Sequence, residues 1–368
     1  MSIFILYYRV ISDSPTRCPV NTGNRTNRCR NLLASALLAL LLTACATPGP
    51  PPAPLQWPPS PAEAQVTWNQ EIRDYRDAGI RKGFWRRLAD FVVGESDLRL
   101  GRPYGIFVDN RGRLFIADNA NGIVHFMDSQ SMKYLLIGTG EPPLFKSPIA
   151  ITGDDNENIY ITDSAGAMVY RYDVKGNVLT TFTGSLERPT GIAFNRNNRL
   201  LYVTDTTAHQ VVVLDLNGKE RFRIGSHGAA PGQFNHPTDL FIDNAGTLYV
   251  TDPLNARIQL FSSAGVFQKA FGQPGDTGGE FVKPKGVAVD SGGNIYIADS
   301  LRDAVQVFDP AGRYRFAFGA TGDGPGQFWM PSGVFIDRSD RIYVADTYNR
   351  RIQVFSHVRP TALQGKDR

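Results

Sequence analysis

From Pro103 onward, short apolar runs and polar clusters follow one another in a fixed order. Ile159-Tyr160-Ile161, Leu201-Tyr202-Val203, Leu248-Tyr249-Val250 and Ile295-Tyr296-Ile297 occupy the same place in successive units. Runs rich in β-branched and aromatic residues, bounded by Gly, Asn and Asp, predict short strands. Asn110-Arg111-Gly112, Asn244-Ala245-Gly246 and Ser291-Gly292-Gly293 supply turns between the first and second strands of a unit. A fourth strand follows in most units, as in Arg221-Phe222-Arg223-Ile224 and Tyr314-Arg315-Phe316-Ala317-Phe318. The order is stated six times. Its markers are Pro103, Pro148, Pro189, Pro237, Pro284 and Pro331, spaced 45, 41, 48, 47 and 47 apart, and Asp118, Asp163, Asp205, Asp252, Asp299 and Asp346.

Four strands in a unit of this length make a propeller blade. A lone blade leaves both faces uncovered, so neighbours must stack and the ring must close. The expected fold is therefore all-β, a six-bladed β-propeller of four-stranded antiparallel blades over residues 91–357. The sixth unit stops at its third strand, near Phe355. An N-terminal strand must then complete the last blade, and Phe91-Val92-Val93 stands in the expected register.

The first part of the chain has a different pattern. Arg25, Arg28 and Arg30 precede the apolar run Leu32–Leu42, and Leu42-Thr43-Ala44-Cys45 closes it. A basic flank followed by a run too short to span a bilayer comfortably reads as a signal peptide over 1–44. The stretch before Arg25 is long for such a flank, and a translation start near Val20 is expected. The closing tetrad resembles the lipobox of bacterial lipoproteins. That resemblance implies cleavage before Cys45, acylation of Cys45 and, with Ala46 next, anchoring to the outer membrane. Residues 45–65 are proline-rich and predict a semi-rigid solvated tether. Residues 66–90 form a lead-in segment, in which Ile80, Phe84 and Leu88 predict a short helix. Residues 358–368 are a C-terminal tail.

The chain carries 39 basic and 35 acidic residues, a formal charge of +4. Five of the basic groups and one acid lie within 1–44, leaving 34 of each sign in the remainder. This balance argues against a generic nucleic-acid binder. Cys18, Cys29 and Cys45 are the only cysteines and all precede the repeats, which excludes thiolate metal sites and disulfides there.

The order P-x-G-apolar-D, then I-Y-V-A-D, then N-x-R-I-Q-V-F resembles the NHL repeat. The resemblance covers residues 91–355 and implies the same six-bladed propeller. The name-giving histidine position holds Gly122, Ala167, His209, Ala256, Asp303 and Arg350, so only one copy keeps it. Some relatives of this architecture are enzymes: the peptide-amidating lyase uses metal-binding histidines, and gluconolactonase-like propellers hold a channel metal. Bacterial relatives with NHL repeats imply extracytoplasmic binding or scaffolding.

Candidate chemistry is sparse. The five histidines share no short ligand spacing, and three would meet only if loops joined them across blades. The marker aspartates are too regular for one active site and read as strand-end acceptors. Asp239 replaces the glycine found at Gly105, Gly191, Gly286 and Gly333, and is expected to face the channel. Residues around the marker prolines fall on a ring about the axis. Arg102, Tyr104, Arg188, Thr190, His236, Asp239, Lys283, Lys285, Trp329 and Arg350 are the expected ligand-binding set, a basic mouth with an aromatic rim. The expected function is a lipid-anchored, monomeric, non-catalytic module that binds an envelope protein, peptide or glycan on one face. No cofactor and no nucleic acid are expected. The alternative is a metal-dependent hydrolase or lyase with Ca²⁺ or Zn²⁺ in the channel.

Overall fold

The computed structural model describes residues 55–59, 61–81, 99–140, 142–173, 177–182, 184 and 186–358. The repeats fold into six antiparallel sheets arranged as blades. Blade 1 contains Pro103–Val108, Leu114–Asp118, Ile123–Asp128 and Lys133–Ile137. Blade 2 contains Pro148–Gly153, Ile159–Asp163, Met168–Tyr172 and Val178–Phe182, and blade 3 Pro189–Asn195, Leu200–Asp205, Gln210–Leu214 and Glu220–Ile224. Blade 4 contains Leu240–Ile242, Leu248–Asp252, Arg257–Phe261 and Phe267–Phe271, and blade 5 Pro284–Val289, Ile295–Asp299, Ala304–Phe308 and Tyr314–Phe318. Blade 6 contains Val334–Ile336, Arg341–Asp346 and Arg351–His357. The strands are lettered A to D from the axis outward. Neighbouring A strands touch all the way round, and blade 6 touches blade 1, so the ring is closed.

Burial explains the composition of each layer. The B strands of blades 1, 2, 4 and 5 are buried at every position, covered by a blade on each side, and so read as unbroken apolar runs. The D strands have one solvated face. Phe267–Phe271, for example, alternates half-buried Phe267, Lys269 and Phe271 with exposed Gln268 and Ala270. Phe145, Phe234, Phe281 and Phe328, which precede the marker prolines, are almost fully buried between blades. Phe145 lies edge-on to Tyr170 at 5.0 Å. Truncating any of these rings would cost about 3–5 kcal/mol.

The fourth strand of blade 6 does come from the N-terminal side, but not from the expected residues. Val66–Ile72 pairs antiparallel with Arg351–His357, from Val66 opposite His357 to Ile72 opposite Ile352. Gln56–Trp57 adds a fifth strand outside it. Phe91-Val92-Val93 lies outside the described residues, and the position expected for it is already filled. The end of the proline-rich stretch is therefore part of the propeller rather than solvated tether. Trp57 packs on Phe318 and Phe355 with ring centroids 6.0 and 5.8 Å away. Trp68 Nε1 donates to Gln353 Oε1 at 3.0 Å. Arg351, fully buried, donates to Asp346 at 2.7 Å and across the closure to Glu71 at 2.6 Å. Residues 1–54, with Cys45 and the signal segment, and the predicted helix beyond Arg81 lie outside the described residues.

The closure makes a testable demand on one strand. Val66 is completely buried and Gln70 is exposed. Val66→Asp is expected to destabilise the protein by about 3 kcal/mol or more. Gln70→Asp on the same strand should stay within about 0.5 kcal/mol of wild type. Chemical unfolding of the two variants checks this; equal effects would mean that the strand does not close the ring.

Candidate functional site

Each B strand ends in a fully buried aspartate. Its carboxylate takes N–H donors from the loop that leads into the same blade's A strand. In blade 1, Gly101 and Arg102 donate to Asp118 at 2.7 and 2.9 Å. Lys146 and Ser147 do the same for Asp163, Glu187 and Arg188 for Asp205, and Val282 and Lys283 for Asp299. Burial by itself would raise Asp118, but His125 and these N–H groups outweigh it and hold the carboxyl down to about 2. His125 is fully buried between Asp118 and Tyr134, so it belongs to this framework. In blades 4, 5 and 6 the same place is taken by Gln259, Gln306 and Gln353, each bonded to its marker aspartate.

The marker aspartates thus fix the loops at one end of the channel, the marker-proline face. Below them the A strands crowd together at the glycine register. A Cβ on Gly105 would collide with the Ile149 carbonyl, and one on Gly333 with the Tyr104 carbonyl. A small cavity opens above this constriction and a larger one below it. Asp239 lines both, as its replacement of glycine implied. Its Oδ2 accepts the Val287 N–H at 3.2 Å, bridging blades 4 and 5. Burial in the channel pushes the Asp239 carboxyl up to about 7, against the pull of the Leu240 and Val287 N–H groups.

The predicted residues separate into several groups. Lys285 and Tyr104 line the upper cavity with Asp239, and Lys285 Nζ lies 5.4 Å from the Tyr104 ring centre. Burial, then the neighbouring Lys283, lowers the Lys285 ammonium from its usual range. Arg102 sits 5.5 Å over Tyr348, whose ring lies 5.5 Å from that of Trp329. Arg188, Lys283 and Arg350 are exposed on the same face. Among the described residues, none of Arg102, Arg188, Lys283, Lys285 and Arg350 has a carboxylate within ion-pair distance. Thr190 is buried and spent on the hydroxyls of Thr204 and Thr206. His236 joins a different cluster, packed with His209, and His209 packs with His227.

The loops therefore do bring three histidines together across blades. They are not arranged as a metal cage: among the described residues no group of three His, Cys, Asp or Glu is. His209 Nδ1 already accepts the His236 backbone N–H at 3.1 Å, which leaves the proton of the neutral ring on Nε2.

Of an apolar arc beside the mouth, sequence reasoning named Trp329 alone. Leu254, Leu301 and Tyr348, each two residues after a marker aspartate, are exposed, as are Val282 and Trp329, each two before a marker proline. The corresponding positions after the aspartates of blades 1 to 3 hold Ala120, Ala165 and Thr207. Comparing these positions blade by blade would have revealed the arc. On the opposite face, Asp154 accepts the N–H groups of Asn156 and Asn158, and Asp155 pairs with Arg196 and Arg199. Glu157 pairs with Arg111 and Arg113, so this acidic turn is internally spent.

Comparison with known proteins agrees with this geometry. Residues 290–358 match a family model described as a 6-bladed beta-propeller. Residues 150–277 match an SMP-30/gluconolactonase/LRE-like region. NHL repeat-containing protein 2 of Bos taurus is 27% identical over 154 residues, covering 32% of this chain and 21% of that protein. The chain is an NHL-type six-bladed β-propeller. The matched part spans about a fifth of that relative. A probable peptidyl-alpha-hydroxyglycine alpha-amidating lyase of Caenorhabditis elegans is 28% identical over 151 residues, 39% of this chain and 42% of that protein. Among solved structures, virginiamycin B lyase from Staphylococcus aureus superposes with a TM-score of 0.53 at 16% identity, over 70% of this chain and 96% of that one. An auxiliary nutrient binding protein from Bacteroides thetaiotaomicron gives 0.58 at 15%, over 71% and 70%. At these identities the structures show the fold alone.

The NHL geometry also explains why the name-giving position varies in this chain. Gly122, Ala167, His209, Ala256, Asp303 and Arg350 all have φ between 49° and 63°. What the six copies share is a left-handed backbone at the turn between the B and C strands.

The channel carboxylate gives the propeller a pH signature. A carboxyl raised to about 7 in the folded state, from 3.8, stabilises the fold fully below the lower value and loses that stability as pH rises through the higher one. Asp239→Asn retains an acceptor for Val287 but has no charge to bury. The variant should match wild type near pH 4 and exceed it by about 2 kcal/mol above pH 8, a figure discounted for the open channel. Unfolding free energies across that range test it, and parallel curves would show that Asp239 does not carry the effect.

Proposed function

We propose that this propeller is a non-catalytic binding module of the cell envelope, tethered through lipid on Cys45. On this reading it receives an acidic segment of a partner protein or peptide on its marker-proline face. The observation that carries the reading is the set of cations there without carboxylate partners among the described residues: Arg102, Arg188, Lys283, Lys285 and Arg350. Cations left unpaired around a concave mouth attract and orient anions. Asp239 does little to cancel them while it holds its proton. The adjoining Leu254, Val282, Leu301, Trp329 and Tyr348 favour a polypeptide over a glycan, because apolar side chains need apolar partners and aromatic anchors supply much of interface energy.

The match to the gluconolactonase-like region and the lyase relatives favours a second reading, a hydrolase or lyase with a channel Ca²⁺ or Zn²⁺. The donor set does not fit it. Asp239 is the one carboxylate among the residues lining the two axial cavities. Zinc sites use about three protein ligands and calcium about six or more oxygens.

Binding of a labelled peptide of alternating Glu and Leu separates these readings. Wild type should bind it with a strong salt dependence. Lys285→Glu combined with Arg102→Glu should weaken binding by about tenfold or more. Crosslinking in intact cells should lose the same partner with the same variant. Unchanged binding and unchanged crosslinking would remove the mouth from the account, and a stoichiometric axial metal in the purified protein would favour the second reading.

A further inference from the structure

Blades 4 and 6 begin differently from the other four. In blades 1, 2, 3 and 5 the residue before the marker proline donates its N–H to that blade's own marker aspartate, at 2.8–2.9 Å. In blades 4 and 6 the donor to the aspartate is one residue earlier: Asn235 to Asp252 at 2.7 Å and Trp329 to Asp346 at 2.8 Å. The following N–H turns to the preceding blade. His236 donates to His209 Nδ1 at 3.1 Å, and Met330 donates to Asp303 Oδ1 at 2.7 Å. His209 and Asp303 both stand at the name-giving position. His236 and Met330 are the residues before marker prolines that have positive φ, 59° and 50°.

The difference reaches the channel. In blades 1, 2, 3 and 5 the A strand starts at the marker proline, which pairs with the marker aspartate and is followed by a bulge. In blades 4 and 6 it starts three residues later and is only three residues long. Thr238 and Asp239 therefore sit in the lead-in turn and line the upper cavity with Lys285. A non-glycine residue in the left-handed region costs about 1–2 kcal/mol, so the turn needs its acceptor. Blades 1, 2, 3 and 5 show the arrangement adopted when the acceptor is missing.

We infer that His209 is a proton-operated latch, which holds the blade 4 lead-in turn while its imidazole is neutral and releases it on acidification. A protonated ring has N–H on both nitrogens and cannot accept from His236. In the other four blades the corresponding N–H goes to that blade's own marker aspartate, but here Asp252 Oδ1 already accepts from Asn235, so the released N–H is left to solvent. His227 and His236 pack on His209 with ring centroids 4.2 and 4.3 Å away, so charge on one ring opposes charge on the next. The charged groups acting on the His209 ring, besides the two histidines, are Asp252, bonded to Arg257, and Glu187. Burial first, then His236 and His227, lowers His209 against the pull of Asp252 and Glu187. The neutral latch is thus intact above the ordinary imidazole value of 6.5 and opens as pH falls below it. Opening carries Thr238 and Asp239 with the turn and so reshapes the mouth beside Lys285. The latch itself does not depend on what the mouth binds.

Selective nitrogen-15 labelling of the five histidines and, separately, the five methionines gives few enough backbone amides to follow His236 and Met330 in the full chain. The readout is the protection factor, corrected for the intrinsic pH dependence of amide exchange. Between about pH 7.5 and pH 5, His236 should lose about tenfold in protection, while Met330 stays constant as an internal control. His209→Asp copies blade 5 and should keep His236 protected at both ends of the range. His209→Ala copies blades 2 and 4 and should move the His236 amide to one pH-independent position in the remaining range. Constant protection of His236 in wild type, or a His209→Ala spectrum like that of wild type at pH 7.5, would overturn the inference. Because no ligand enters the measurement, failure of the peptide-binding reading leaves this result unaffected.

Discussion

A buried carboxylate at the end of every B strand is the constraint on which the molecule depends. An ionised aspartate with no exposure to water is costly unless donors surround it. Here the donors are mostly backbone N–H groups of a loop some sixteen to eighteen residues earlier. Each aspartate therefore ties the loop arriving from the previous blade to the blade that follows. In blades 4 and 6 the arginine directly after the turn adds a charged partner: Arg257 for Asp252 and Arg351 for Asp346. Arg351 then reaches Glu71 on the strand that closes the ring, so the last of these clusters also joins the two parts of the chain.

This arrangement decides how much of the structure could be read in advance. Proline, strand and aspartate recur with little drift because each carries part of the same hydrogen-bonded unit, and the blade count followed from them. The closing strand was harder to place. Val66-Thr67-Trp68-Asn69-Gln70-Glu71-Ile72 alternates only weakly, and a register shift between Trp68 and Gln70 interrupts the pattern. It needs only one covered face, since it lies near the outer edge of blade 6. Phe91-Val92-Val93 is more apolar, which is a poor guide to an edge position. The preceding prolines also suggested a solvated tether, whereas Trp57 is drawn in by Phe318 and Phe355.

The mouth could be drawn as a ring in advance because equivalent positions in a propeller recur around the axis, and Arg102, Arg188 and Lys283 each stand just before a marker proline, whereas Lys285 follows one. Thr190 was not separable from its neighbours by position alone. Its hydroxyl is consumed by Thr204 and Thr206, and that ladder is visible only once blade 3 is folded. The histidine cluster was hidden for a related reason. His209, His227 and His236 belong to a turn, a long connection and a lead-in loop, and only the packing of blade 3 on blade 4 unites them.

The name-giving position shows how a repeat can diverge without losing its fold. Its six residues share a left-handed backbone, a demand on conformation that glycine meets easily and alanine, histidine, aspartate or arginine meets at modest cost. The side chain at that position is then free of the framework. Where it offers no acceptor to the next blade, the next loop turns to its own marker aspartate; where it is His209 or Asp303, the loop reaches back and the A strand shortens. A consensus averaged over the six blades would remove both exceptions. Yet those exceptions place Thr238, Asp239 and Ser332 around the upper cavity. In a ring built from one repeated unit, the shared residues account for closure, and selectivity along the axis comes from the side chains that the framework leaves free, Tyr104 and Lys285 on regular blades as well as Thr238 and Asp239 where the pattern breaks.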